Sequence, residues 1–86
     1  MQNTPNPFTD NTIISFTIPV KEKVTITIFD LFGKIIQEFS GIYQRGTHSI
    51  NWNGSDMNKN KLSVGSYYYR MQSGEFVEVK KMILFK

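Results

Sequence analysis

The chain has no cysteine and a single histidine among its 86 residues. Without thiols there is no disulfide framework, no thiolate metal site and no cysteine nucleophile. With His48 as the lone imidazole, a hydrolytic triad would need its other members from acids that lie mostly in turns, so the chain reads as non-enzymatic. Prolines number three, and two of them, Pro5 and Pro7, fall in the first eight residues. No apolar run approaches the roughly 18 residues of a membrane helix, and no signal peptide opens the chain. Helical periodicity is absent as well. Ten basic and seven acidic residues give a net charge of +3. They are spread from Lys21 to Lys86 instead of interleaving with aromatics on one face, which argues against a nucleic-acid groove. Lys80, Lys81 and Lys86 form the one basic cluster, with Glu75 and Glu78 close by in sequence.

Aromatic residues are plentiful. A chain of this length makes one small domain and buries about 60–65% of the surface its unfolded form exposes. Seven Phe, four Tyr and one Trp suit a compact core, since each buried ring removes roughly 150–250 Å² from water. Met1 followed by Gln-Asn-Thr-Pro reads as a start placed before a domain cut from a longer protein.

Alternation of apolar and polar residues predicts strands throughout. Ile14, Phe16 and Ile18 share one face of a first strand, Thr12–Ile18, which Pro19 ends by removing a ladder donor. Lys21, Glu22 and Lys23 form the charged turn into a second strand over 24–29, where Val24, Ile26 and Ile28 alternate with Thr25, Thr27 and Phe29. Asp30-Leu31-Phe32-Gly33 carries the preferences of a type I turn and leads to a third strand over 34–39. A loop follows over 41–46, then a strand over 47–52 with His48, Ile50 and Trp52 on one side. Asn53-Gly54 is a strong turn dipeptide, and 55–63 is the longest loop, with Asn58 and Asn60 best suited to a left-handed backbone. Strands over 66–71 and 76–85 close the chain as a hairpin through Ser73-Gly74, with Tyr67, Tyr69 and Met71 on one face. In the last strand Val77 and Val79 have odd parity while Met82 and Leu84 have even. This predicts a bulge near Lys80-Lys81 or burial of both faces at the end. Six or seven short strands at this spacing imply an all-β, immunoglobulin-like antiparallel β-sandwich of about seven strands.

Three constellations invite a chemical reading. Asp56, Asn58 and Asn60 occupy positions one, three and five of a calcium-loop pattern, but position six is Lys61 in place of Gly and position twelve is Tyr67 in place of Glu. A solvated loop accounts for them, and the sequence assigns no metal, cofactor or small-molecule substrate. Tyr68 faces away from Tyr67 and Tyr69, either as a carbohydrate platform or, the simpler account, on a partly wet sheet face. The terminal run Lys80-Lys81-Met82-Ile83-Leu84-Phe85-Lys86 is apolar between positive charges. Its lysines can act as gatekeepers that keep the strand soluble.

Pro5-Asn6-Pro7-Phe8, the 12–19 strand ending in Pro19, Phe29-Asp30-Leu31-Phe32-Gly33, Gly46-Thr47-His48, Trp52-Asn53-Gly54 and Gly65-Ser66-Tyr67-Tyr68-Tyr69-Arg70 follow one another in a familiar order. Together they resemble the type A C-terminal sorting domain of the type IX (Por) secretion system, over nearly all of 5–86. Glu22 departs from the Gly usual in the first hairpin of such domains, which implies a turn without positive φ. The resemblance implies an immunoglobulin-like sandwich at the C-terminus of a secreted cargo. Such a domain takes its cargo from the periplasm across the outer membrane through the type IX translocon. A sortase-like cysteine peptidase then removes it, often leaving the cargo on a surface lipopolysaccharide. On this reading 1–7 is the end of a linker and 8–86 the sorting domain, with processing near or before Pro5. Gly65, Tyr67, Tyr69, Lys80, Lys81, Met82, Ile83, Leu84 and Lys86 form the recognition element, read by β-augmentation and charge. Pro7, Phe8, Phe16, Asp30, Gly33, Gly46, Trp52 and Gly54 supply turns and core. Two other functions stay open: a glycan-binding or adhesive module of a secreted enzyme, and a structural domain like that of flagellar hook-capping proteins. The oligomeric state is not legible.

Overall fold

Six strands joined by short turns and one long loop, 53–64, make up a computed structural model that describes residues 5–85. They are β1 (Thr12–Ile18), β2 (Glu22–Asp30), β3 (Ile35–Tyr43), β4 (Gly46–Trp52), β5 (Gly65–Ser73) and β6 (Phe76–Leu84). β1 pairs with β4 in a two-stranded sheet, and a four-stranded sheet runs β3-β2-β5-β6, all antiparallel. The inward rows of the two sheets form the core of an all-β, immunoglobulin-like sandwich.

The parity of β1 is as predicted: Ile14, Phe16 and Ile18 are buried. From the larger sheet Val24, Ile26 and Ile28 on β2 meet Met71, Tyr69 and Tyr67 on β5 and Met82 and Leu84 on β6. Trp52 closes one end. Its ring lies 5.5 Å from Phe8 and 6.0 Å from Tyr67, and its indole N–H donates to the Ser55 carbonyl at 2.9 Å. Removing about 200 Å² of indole from water stabilises the fold by about 5 kcal/mol before entropy is counted.

Four local expectations are corrected. Glu22 and Lys23 belong to β2, paired with Tyr43 and Ile42, so the first turn is shorter than the charged triplet. Glu22 has no positive φ, as its departure from Gly implied. β3 continues to Tyr43 and absorbs most of the loop expected over 41–46. The reason is packing: Gly41 leaves room for the Tyr43 ring, which would lie 3.4 Å from a Cβ there and meets Phe16 edge-on at 5.1 Å. In β6 the register with β5 is unbroken from Phe76 to Leu84, so there is no bulge at Lys80-Lys81. Nor are both faces buried, because Ile83 is exposed beside buried Met82 and Leu84. One parity holds throughout: Glu78, Lys80, Met82 and Leu84 face inward, and Val77, Val79, Lys81 and Ile83 outward. The one bulge in the larger sheet lies opposite Ile28 and Phe29 and turns Ile36 into the core. The closing hairpin turns through Gly74 and Glu75, one residue later than predicted, with Gly74 at φ 59° in the position a type II′ turn reserves for glycine.

Two loops share one design. In the first, the Asp30 carboxylate accepts the N–H groups of Phe32 and Lys34, each at 2.9 Å, and the Gly33 N–H donates to the Asp30 carbonyl. In the second, the Asp56 carboxylate accepts those of Asn58 and Asn60, each at 2.9 Å, and the Lys59 N–H donates to the Asp56 carbonyl. The fourth residue is left-handed in both, Gly33 at φ 86° and Lys59 at φ 66°. The left-handed residue expected at Asn58 or Asn60 is thus Lys59, because the aspartate fixes the loop by its own side chain and the strain falls three residues on.

Candidate functional site

The predicted recognition element lies on β5 and β6, and the structure divides it. Tyr67, Tyr69, Met82 and Leu84 are buried. They hold the hairpin to the core. Tyr67 also donates its hydroxyl to the Ser63 carbonyl at 2.7 Å, which ties the long loop to β5. Burial, with a smaller push from the Glu78 charge, raises the Tyr69 hydroxyl to about 12. Gly65 starts β5 at φ 153°, with no atom near a Cβ built there. Lys81 and Ile83 are exposed on the outer face, whereas Lys80 is half-buried with its side chain on the inward parity. Adjacent in sequence, Lys80 and Lys81 therefore do not form one charged face. Lys86 lies outside the described residues.

Sequence reasoning missed the most consequential feature of this site. The described part of the segment assigned to a linker end, residues 5–7, lies with Phe8 along the outer edge of β6. The Asn6 side chain donates to the Lys81 carbonyl at 3.2 Å and accepts the Ile83 N–H at 3.0 Å. Phe8 N–H donates to the Ile83 carbonyl, and Phe85 N–H to the Phe8 carbonyl, both at 2.9 Å, in a parallel bridge. The Thr12 hydroxyl donates to the Pro5 carbonyl at 2.7 Å. Phe8 itself is 1% exposed, packed against Trp52 and beside Gly54, whose absent Cβ would lie 3.6 Å from the Phe8 ring. The folded unit thus includes residues 5–7. The only hint in the sequence is the pair of prolines around Asn6, which hold the chain extended as an added strand requires.

The outer face of the larger sheet carries a row of Ile35, Phe29, Tyr68 and Lys81 across its four strands. Phe29 stacks on Tyr68 with centroids 5.9 Å apart and planes 20° from parallel, so one side of the half-buried tyrosine is already covered. His48 donates from Nε2 to the Gln44 carbonyl at 2.7 Å and packs between Phe16 and Tyr43. It is a structural residue. The Asp56 carboxyl is held below the usual carboxylate range first by the amide of Asn60, then by that of Asn58, with Lys34 adding its charge. This aspartate shapes a turn. Among the described residues no three His, Cys, Asp or Glu side chains gather as a metal site would require.

A two-sheet sandwich closed by a hairpin, with residues 5–8 strapped along its last strand, defines a small immunoglobulin-like module. The profile of the secretion system C-terminal sorting domain matches residues 4–85. The chain belongs to that family, the sorting tails of type IX secretion. No curated protein matches it. Among solved structures, dimeric latent PorU of Porphyromonas gingivalis matches with TM-score 0.80 and 22% identity over 96% of this chain and 9% of that one. PorZ of the same organism, described as an essential surface component of its type IX secretion system, matches with TM-score 0.73 and 15% identity over 99% of this chain and 11% of that one. FlgD of P. aeruginosa matches with TM-score 0.68 and 22% identity over 86% of this chain and 58% of that one. The chain thus spans a small part of the first two and little more than half of the third. At these identities the likeness is one of fold.

Proposed function

We propose that this domain is the signal by which an N-terminally attached cargo is carried from the periplasm across the outer membrane through the type IX translocon. A sortase-like peptidase then removes it and leaves the cargo released or attached at the cell surface. The observation that carries this reading is the extent of the family match, which covers the sandwich and its closing hairpin together. The strap narrows where processing can occur. Residues 5–8 are hydrogen-bonded into the fold and cannot extend into a protease cleft, so the scissile bond lies before Pro5.

Within the predicted recognition element, we assign direct contact to the exposed pair Lys81 and Ile83 and to the outer face around them. Tyr67, Tyr69, Met82 and Leu84 act by holding that surface in place. The test is a reporter with a Sec signal at its N-terminus and this domain at its C-terminus. It should leave a type IX-competent cell and stay periplasmic in a secretion-deficient one, and the exported reporter should be shorter by the domain when the peptidase is active. Release that ignores the secretion system would overturn the proposal.

A further inference from the structure

The two aspartate turns are built alike and differ in what they present. In each, the carboxylate accepts two N–H groups, the aspartate C=O accepts a third, and the aspartate N–H donates to the C=O four residues on, Lys34 in one and Asn60 in the other. The third position holds Asn58 in the long loop and Phe32 between β2 and β3. This backbone geometry therefore does not depend on an aromatic residue. Nor does the core, since Phe32 is 92% exposed and Leu31 beside it 62%. Two adjacent large apolar side chains held out at a turn tip mark a contact surface.

The surroundings extend that surface. Asp30 pairs with Tyr67 and Phe29 with Ile35, so the tip stands at the end of the larger sheet where β5 begins, and Ile35 and Val64 are exposed at the same end. The stacked pair Phe29 and Tyr68 follows on the outer face. Apolar groups thus come from a turn tip, a strand start and a loop end. A ring as exposed as Phe32 at the apex of a turn projects from the surface instead of lining a groove.

We propose that this end of the sheet docks on an anionic phospholipid leaflet, with Phe32 and Leu31 entering the boundary between headgroups and acyl chains. Two features favour lipid over a protein partner. The N–H groups of Phe32, Gly33 and Lys34 are all bonded to Asp30, so Phe32 and the two residues after it bring no unpaired donor to acyl chains, which offer no acceptor. Cations flank the apolar tip: Lys34, two residues past Phe32, is exposed, as is Lys81 at the end of the outer-face row through Phe29 and Tyr68. The Asp30 carboxylate, the one acid in the turn, is engaged by its own backbone. An apolar tip between lysines suits a leaflet with anionic headgroups.

The test is co-sedimentation of the purified 86-residue chain with vesicles of phosphatidylcholine, alone or mixed with phosphatidylglycerol. The wild type should partition onto the mixed vesicles and less onto the neutral ones. Phe32→Asn, which installs the residue of the twin turn, should lower partitioning by about tenfold, the loss implied by withdrawing one apolar ring from lipid. Lys34→Glu should weaken binding to the mixed vesicles and leave the neutral ones unchanged. Ile42→Thr removes a side chain that is 71% exposed at the other end of β3, and should change nothing. Thermal midpoints check that each variant stays folded. A wild type that ignores both vesicles, or equal losses from Phe32→Asn and Ile42→Thr, would overturn the proposal. So would association of the chain with itself, without lipid, that Phe32→Asn abolishes. The readout needs no export, so it stands or falls separately from the sorting role.

Discussion

Lys59 holds a left-handed backbone that its counterpart in the twin loop gives to glycine, and exchanging the two residue types isolates the cost. At φ 66° a residue with a Cβ is strained by roughly 1–2 kcal/mol. Replacing it by glycine removes that strain but frees the unfolded chain, which offsets about 0.5–1 kcal/mol. The Asp56 hydrogen bonds to Asn58 and Asn60 use backbone N–H groups and survive the change. Lys59→Gly should therefore stabilise the domain by about 0.5–1 kcal/mol, or about 2–8 °C in Tm for a domain of this size. Gly33→Ala should do the reverse by a similar amount, because nothing lies within 4 Å of a Cβ there and only the φ of 86° opposes it. Urea denaturation measures both, with the midpoint moving and the slope unchanged. A lower midpoint for Lys59→Gly, or an unchanged one for Gly33→Ala, would refute the shared loop geometry.

The N-terminal strap is expected to contribute as much as a core strand: Phe8→Ala should cost about 3–5 kcal/mol, and Asn6→Ala about 1–3 kcal/mol through the lost bonds to Lys81 and Ile83, both read from denaturation midpoints. Trp52→Ala should cost about 3–5 kcal/mol, and an unchanged midpoint would show the β4 register to be wrong. The raised Tyr69 hydroxyl makes the folded state bind the proton more tightly than the unfolded one. Stability should fall as pH rises from about 10 to about 12, and Tyr69→Phe should flatten that arm. Asp56 has the opposite sign: its contribution is present above the ordinary carboxylate pKa and is lost as pH falls through its lowered one, so Asp56→Asn should lessen the acid sensitivity of urea midpoints below about pH 4.

What the sequence made legible was local. Alternation and Pro19 bounded β1 correctly, and Asp30 to Gly33 announced its turn, because both depend on residues a few positions apart. β3 was cut short because Ser40 and Gly41 look like loop residues until Tyr43 is known to fold back over them. The strap was read as linker because Asn6 finds its partners 75 and 77 residues away, and nothing local marks a side chain that will stand in for a strand. For the site, aromatic residues in the closing hairpin attracted a recognition role. Their burial is why we propose Lys81 and Ile83 for it, exposed residues that composition alone would class as a gatekeeper and one more apolar residue.

The most direct test of the sorting role is the fraction of a Sec-targeted reporter found outside the outer membrane, compared in type IX-competent and secretion-deficient cells. The reporter is run with the wild-type domain, with Lys81→Glu, and without the domain. Lys81 is exposed, and its replacement should alter stability by no more than about 0.5 kcal/mol. The account predicts export only with the domain and only in competent cells, and a clear drop for Lys81→Glu at an unchanged thermal midpoint. Equal export with and without the domain would contradict it.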